Sequence, residues 1–431
     1  MSAALAAAAL LPGARAWAQS PHPWGRVSFM ADGVTTSDNG TRLPGFTELV
    51  GSFTFASPVL DSGGTEYKFD FRTAGYPLTA GRDTRVSLYD AYVGRSFDAG
   101  ALEVRVGQMW LTDLGGLGSL GGGLVEYRLK KVGRFQRIRI GGFGGAEPKI
   151  LDAGYVANVT KVGGYVAFDG QGAWRNVVGV VTIRDAGLTE RTVLSTTNFL
   201  PIGKRVFIYQ AAEADLTGPA GQGAAGLTYF FVNGRVSPSE RIEFQGTFHR
   251  GRSIDARTIT LDQLNGRPVS ARALEGLLYE SALGRVTVTL FKGFRVFVGY
   301  AQDRNNLEDA PTGRATIGFF SANLFGTGLD VRLSDNRTDR PGSSYDAWDA
   351  SVGRNLTPRV YLTFDYSSSL AVLQVTSIGG FQVEQRPRTM RYALTGLLNL
   401  NRWISLLLSG EHLSDGSLSQ IRWLTGLTYR F

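Results

Sequence analysis

The stretch Asp113–Gly123, DLGGLGSLGGG, sets Gly116, Gly118 and Gly121 at the spacing G-x-G-x-x-G. Glycines at that spacing cradle a dinucleotide when a strand precedes them and a helix follows, because the pyrophosphate rests on the helix N-terminus. An alternating stretch, Ala101–Leu111, does precede them, but GGLVEYRLKKVG behind them alternates too and enters another strand. With no helix end presented, the dinucleotide reading fails on context. Three histidines are the other chemical candidates. His412 neighbours Glu411, Ser414 and Asp415, and His249 ends a strand near Asp255, so each could supply a base at a rim, whereas His22 sits in an N-terminal tail. Polar loop histidines explain the same pattern more simply, and no catalytic set is assigned. Asp303–Asp309, DRNNLED, alternates oxygen ligands but lacks the glycine and distal glutamate of a calcium loop. No metal or cofactor site follows.

Arginine is the more informative residue. Arg72, Arg105, Arg137, Arg139, Arg285, Arg295, Arg332, Arg391, Arg422 and Arg430 fall on the polar face of alternating segments, with Lys68 among them. Glu48, Glu66, Asp70, Glu103, Glu243, Asp330 and Asp365 partly offset them. Two readings compete at this point: a cationic wall that favours anionic solutes, or a cross-strand charge lattice that only ties neighbouring strands.

What must position these charges is legible in the bulk composition. The 431 residues include 56 glycines and no cysteine, with 11% aromatic and only 19% charged residues and a net charge of +8. Low charge beside high glycine and aromatic content departs from an ordinary soluble enzyme. Without cysteine there is no disulfide framework, thiolate zinc site or lipid-anchored N-terminus. The positive charge forms no Lys/Arg block or recognition element, so nucleic acid is not expected as a partner. MSAALAAAALLPGARAWAQS looks like a secretory signal peptide over residues 1–18, ending in the A-x-A site Ala16-Trp17-Ala18, though the usual positive n-region is missing. Beyond it no apolar run is long enough for a transmembrane helix, so a membrane form must use strands.

Period-two alternation is nearly continuous. Tyr67, Phe69 and Phe71 oppose Glu66, Lys68, Asp70 and Arg72; Leu102, Val104 and Val106 oppose Glu103 and Arg105; Leu329, Val331 and Leu333 oppose Asp330 and Arg332. Connections alternate as well. Ten short turns, such as FDAG, KKVG, LFKG and NLTP, interleave with eleven longer polar connectors, the third of which is the glycine-rich stretch. Short turns at one end and long loops at the other mark an outer-membrane barrel, here of about 22 strands, or roughly 18 to 20 if hairpins are merged.

The terminal segment SQIRWLTGLTYRF sets Ile421, Trp423, Leu427, Tyr429 and Phe431 on one face. It resembles the final strand of bacterial outer-membrane proteins, and the resemblance implies that Trp423, Tyr429 and Phe431 form the signal read by the assembly machinery. Tyr89–Trp110, YDAYVGRSFDAGALEVRVGQMW, resembles the strand-turn-strand before the third loop of general bacterial porins, a loop that folds inward and narrows the pore. That resemblance implies a constriction at Asp113, Gly116, Gly118 and Gly121, with one acidic residue where porins usually carry several.

The expectation is an all-β protein, a single antiparallel transmembrane β-barrel over residues 19–431 with no plug domain, in the bacterial outer membrane among lipid and lipopolysaccharide. Its function is expected to be passive passage of hydrophilic, anionic solutes through a lumen lined by the charged residues above. A different class of reading is an export or scaffold barrel whose lumen carries an exopolysaccharide or a protein partner; alginate-export barrels also have arginine-rich lumens, though no motif here assigns the chain to them. Homo-oligomerisation is left open. Arg250–Tyr279 is expected to help close the lumen, with Leu274, Leu277 and Leu278 on one side of a short helix.

Overall fold

The computed structural model describes residues 23–57, 64–77, 82–149, 152–217, 226–253, 276–308, 310–376 and 382–431. The expected signal peptide, His22, Asp255, Leu274 and Asp309 lie outside them. In chain order the strands of the first half are β1 Trp24–Asp38, β2 Thr41–Arg42, β3 Phe46–Ala56, β4 Gly64–Gly75, β5 Arg85–Phe97, β6 Leu102–Trp110, β7 Ser119–Val132, β8 Phe135–Pro148, β9 Tyr155–Asp169, β10 Arg175–Asp185, β11 Leu188–Ile202 and β12 Val206–Thr217. The second half continues with β13 Gly226–Ser239, β14 Ile242–Ser253, β15 Leu277–Phe291, β16 Phe294–Asn305, β17 Thr312–Ser321, β18 Leu329–Arg340, β19 Ser343–Thr357, β20 Val360–Thr376, β21 Gln382–Gln385, β22 Arg388–Asn399, β23 Ile404–Asp415 and β24 Leu418–Arg430.

Every strand pairs antiparallel with its neighbour. The short β2 and β21 each pair on one side only, with β1 and β20, and the other 22 close into one ring. Closure is made where β24 returns to β1, in register from Arg26 opposite Arg430 to Asp38 opposite Leu418. The backbones of Gly25 and Phe431 exchange two further hydrogen bonds, of 2.8 and 3.0 Å. Among the described residues every element except three short 3-10 segments belongs to this sheet, so none forms a plug.

Alternation sorts the two faces. Phe29, Val93, Val106, Val125, Val162 and Val298 stand on one face, 51% to 64% exposed. Side chains of this kind, repeated around a closed ring of strands, belong in lipid, so the strands do the crossing. No helix among the described residues is long and apolar enough to cross a membrane. The opposite face carries the ion pairs. It also carries a buried apolar cluster, which includes Leu120, Leu124, Val177, Val181 and Val193. The core of this barrel lies on its inner wall.

The structure revises three expectations about connections. RDAGLTE, SDNRTDRPGSS and HLSDGS are strand for most of their length, with tight turns at Ala186-Gly187, Pro341-Gly342 and Gly416-Ser417. Their polar alternation belongs to strands that run past the apolar band, where both faces meet water. Leu277 and Leu278 likewise open β15 in place of the expected helix.

Between β7 and β8 the backbones approach closely. A Cβ added at Gly122 would collide with the Gly144 carbonyl and the Gly145 backbone, whereas one at Gly142 would meet open space. Gly122→Ala should therefore lower barrel stability by about 1–3 kcal/mol, read from urea unfolding followed by heat-modifiable electrophoresis. Gly142→Ala should leave the midpoint unchanged. Equal midpoints for the two variants would show that the close approach is not a constraint.

Candidate functional site

The site begins where β6 ends early. Trp110 is its last residue, and the Trp110 amide turns to the Asp90 carboxylate at 3.1 Å instead of extending the ladder. The chain then folds through a 3-10 segment, Thr112–Gly118, broken at Gly115 (φ 55°, ψ −137°), a backbone conformation that glycine adopts without strain. The Leu111 amide donates to the Gly118 carbonyl at 2.9 Å and closes the base of the loop. Leu114 and Leu117 are 1% and 6% exposed, within the apolar cluster of the inner wall. Apolar burial holds the segment down.

Charge holds its tip. The Asp113 carboxylate accepts from Arg139 at 2.7 Å and Arg175 at 3.2 Å. Arg139 also reaches Glu126 at 3.1 Å and Asp169 at 3.0 Å, and Asp169 takes Arg137 at 3.0 Å and Arg175 at 2.8 Å. Arg128 bonds Glu126 at 2.6 Å and also Glu103, which pairs with Arg105 as well. Arg105 reaches Glu66 at 3.3 Å, Tyr92 donates to Glu66 at 2.6 Å, and Lys68 meets Asp90 at 2.6 Å. From Glu66 to Arg175 these contacts make one continuous charge ladder across β4–β10, with the Lys68–Asp90 pair beside it. Of the two readings of the arginines, this wall follows the lattice.

The wall around β15–β18 differs. In a ring of 22 strands it stands half a circumference from β4–β7, and so faces the ladder. Arg285 lies over the Phe297 ring at 3.9 Å and Arg295 over Phe320 at 5.5 Å, both in cation–π contact, while Arg332 lies opposite Phe320 in register. None of the three has a carboxylate partner among the described residues. Asp330, two residues from Arg332, accepts from Tyr361 at 3.3 Å and from the Asn323 amide at 3.0 Å.

The remaining residues singled out in the sequence scatter. Asp70 accepts from Thr54 at 3.3 Å, Arg391 pairs with Glu411 at 2.7 Å, and Arg422 clasps Asp32 at 2.5 and 2.9 Å. Arg72 is exposed, and neither it nor Arg430 has an ion pair among the described residues. Gly116 and Gly118 belong to the folded-in segment. Gly121 does not: it lies in β7 on the outer face, beneath the Tyr155 ring. Trp423, Tyr429 and Phe431 all stand outward, 42% to 45% exposed. The hydrolase candidates separate: His412 bonds Ser419 at 3.1 Å on the outer face, while the adjacent Glu411 points inward to Arg391. His249 packs among aromatic rings.

Sequence reasoning missed Arg128, Arg175, Glu126, Asp169 and Tyr165, whose hydroxyl donates to Glu126 at 2.5 Å. Glu126 and Arg128 alternate within VEYRLK and were findable; Asp169 and Arg175 end and begin strands flanking the turn GQGAW, where alternation breaks.

No protein-family model matches the chain, and no curated protein matches its sequence. Solved structures do share its shape. The ferric enterobactin receptor PfeA in complex with BCV-L6 superposes with a TM-score of 0.54 at 9% identity, over 95% of this chain and 81% of that one. A variant of PfeA from Pseudomonas aeruginosa gives 0.52 at 9% identity, over 95% and 80%. OccK3 (OpdO) of Pseudomonas aeruginosa aligns over 95% of both chains at 7% identity, with a TM-score of 0.46. With the closed ring and its apolar exterior, the two PfeA superpositions settle the fold. The chain has the fold of a closed, 22-strand outer-membrane-type β-barrel. Within this barrel the Thr112–Gly118 segment is anchored to the inner wall by both apolar contact and ion pairs.

A side chain at Gly118 would strike the Leu111 carbonyl, whereas Gly116 faces open space. The chain has no cysteine, so Leu117→Cys provides a unique thiol. Its labelling by an impermeant maleimide should be slow, and faster by about tenfold or more when Gly118→Val is added, the change produced by about 1.4 kcal/mol of lost closure. Gly116→Ala should leave the rate unchanged. Fast labelling of Leu117→Cys alone would show that the segment does not rest on the wall.

Proposed function

We propose that the barrel is a passive pore for hydrophilic solutes with a preference for anions. The observation that carries the proposal is the contrast between the two walls. Along β4–β10 guanidinium and carboxylate groups neutralise one another, so that wall contributes little net field. Arg285, Arg295 and Arg332 on the facing wall form no ion pair among the described residues, and Glu243 near Arg285 offsets that charge only in part. A low-dielectric shell focuses such a field into the lumen, raising the local concentration of anions while binding each weakly enough to release it. The folded-in segment supports the same reading, because it rests on the inner wall at β10 and β11 and so takes up part of the lumen cross-section.

Passage of this kind needs no catalytic group, and the lumen-facing charges singled out in the sequence act in the proposal as its lining. Trp423, Tyr429 and Phe431 stand at the closing seam with their rings toward lipid, which supports a role as the assembly signal. Lipid is the environment of the apolar band; lipopolysaccharide at the outer rim belongs to the proposal.

In planar bilayers under a KCl gradient the reversal potential should indicate anion preference. Replacing Arg285, Arg295 and Arg332 together by alanine should lower the chloride-to-potassium permeability ratio severalfold without changing the folded yield. Pure, folded protein that conducts no current would reject the pore. Conduction with an unchanged ratio in the triple variant would reject these arginines as the selectivity element.

A further inference from the structure

Aromatic residues of an outer-membrane barrel belong mainly on its lipid side, yet six rings share the inner face of β11–β15. Phe199 and Tyr209 face each other across β11 and β12 with centroids 4.8 Å apart; Tyr209 lies 5.7 Å from Phe231, and Phe231 6.3 Å from His249. His249 in turn lies 5.4 Å from Tyr229 and 5.7 Å from Tyr279. Their inward direction follows from register. Phe199 is opposite Arg175, which reaches inward to Asp113, and Phe231 is opposite His249.

The rings climb. Tyr209 is opposite Asn233, so Phe231 stands two residues further toward the long-connector end, and His249 is opposite Ser281, two residues short of Tyr279. Four residues at about 3.3 Å each make a ramp some 13 Å tall along the strands. All but the exposed Tyr279 are only half-buried, so each keeps surface open to the lumen. Planar polar side chains follow the ramp on its lower side: Asn233 donates to Thr247 at 2.7 Å, and Gln245 stands opposite Arg235, which has no carboxylate partner among the described residues.

We infer that this ramp binds oligosaccharides by stacking successive pyranose rings on Tyr209, Phe231 and the rings above them. The inference rests on the lumen being open to solutes. A pyranose ring carries an apolar C–H face that an aromatic face covers, and hydroxyls around its edge that amides and guanidiniums bond in pairs. An isolated inner aromatic would fill space; a rising series with amide and guanidinium groups beside it offers several sugar units in a row the same environment. That is what a chain of sugars needs to advance with weak, repeated binding.

The test uses folded wild-type barrel in detergent, titrated by calorimetry with maltohexaose, with a hexamer of galacturonate, and with polyethylene glycol of similar mass. At least one sugar should bind and the polyether should not. Tyr209→Leu and Phe231→Leu, which keep apolar volume but remove the flat face, should each weaken binding by about tenfold. Tyr209→Phe, which keeps the ring, should bind within about twofold of wild type. If neither sugar binds, if the polyether binds equally, or if folded leucine variants bind like wild type, the ramp is overturned. Because binding is measured without a bilayer, absent binding with intact conductance rejects the ramp alone, and absent conductance with intact binding rejects the pore alone.

Discussion

A bilayer offers no partner for a backbone amide, and that constraint governs this structure. Every spanning strand must find both neighbours, so the sheet has to end where it began. The register of β1 against β24 meets the requirement, and the Gly25–Phe431 backbone pair completes it at the last residue of the chain. Once the ring is closed, alternation has only one meaning left: one face to lipid and one to the lumen. Closure also fixes which strands oppose which, so a charge on β16 acquires a counterpart on β5 with no contact between them.

Inside the ring the usual roles of core and surface are exchanged. The most buried apolar side chains, Leu120 and Val177 among them, lie on the inner wall under Leu114, while the greasy residues stand exposed outside. The charge ladder surrounds this inner core. Ion pairs as desolvated as Arg139 with Glu126, at 10% and 4% side-chain exposure, add little stability relative to apolar packing of the same volume. Their contribution here is positional: Asp113 has one place to sit, between Arg139 and Arg175, and the segment that carries it sits with it.

Much of this was legible in the residue order. Tyr67, Phe69 and Phe71 against Glu66, Lys68 and Asp70 is a strand between lipid and lumen, and SQIRWLTGLTYRF is the strand that closes the ring. Legibility failed where a strand is apolar on both faces. Val177 and Val181 point inward while Val178 and Val180 point to lipid, so NVVGVVTI shows no period, and the wall on which the segment rests is invisible to an alternation argument. Asp113 was readable as a lone acid in a glycine-rich connector, but not its two guanidinium partners, which lie 26 and 62 residues further along the chain. Gly121 went to the wrong element because glycine marks both a loop and a strand position under an aromatic ring. At the long-connector end, polar strand residues read as loop because both faces meet water there.

For a barrel that conducts as proposed, the pairing of an ion-paired wall with one whose arginines lack ion pairs has a consequence beyond the sign of the ions that pass. Two unlike surfaces facing each other across a narrow gap polarise the water between them, so the lumen carries an electric field at right angles to the direction of travel. A solute with its own dipole turns in that field before it advances. A pore working as proposed sorts molecules by how their charge is arranged as well as by how much they carry, which brings zwitterions of zero net charge within its discrimination.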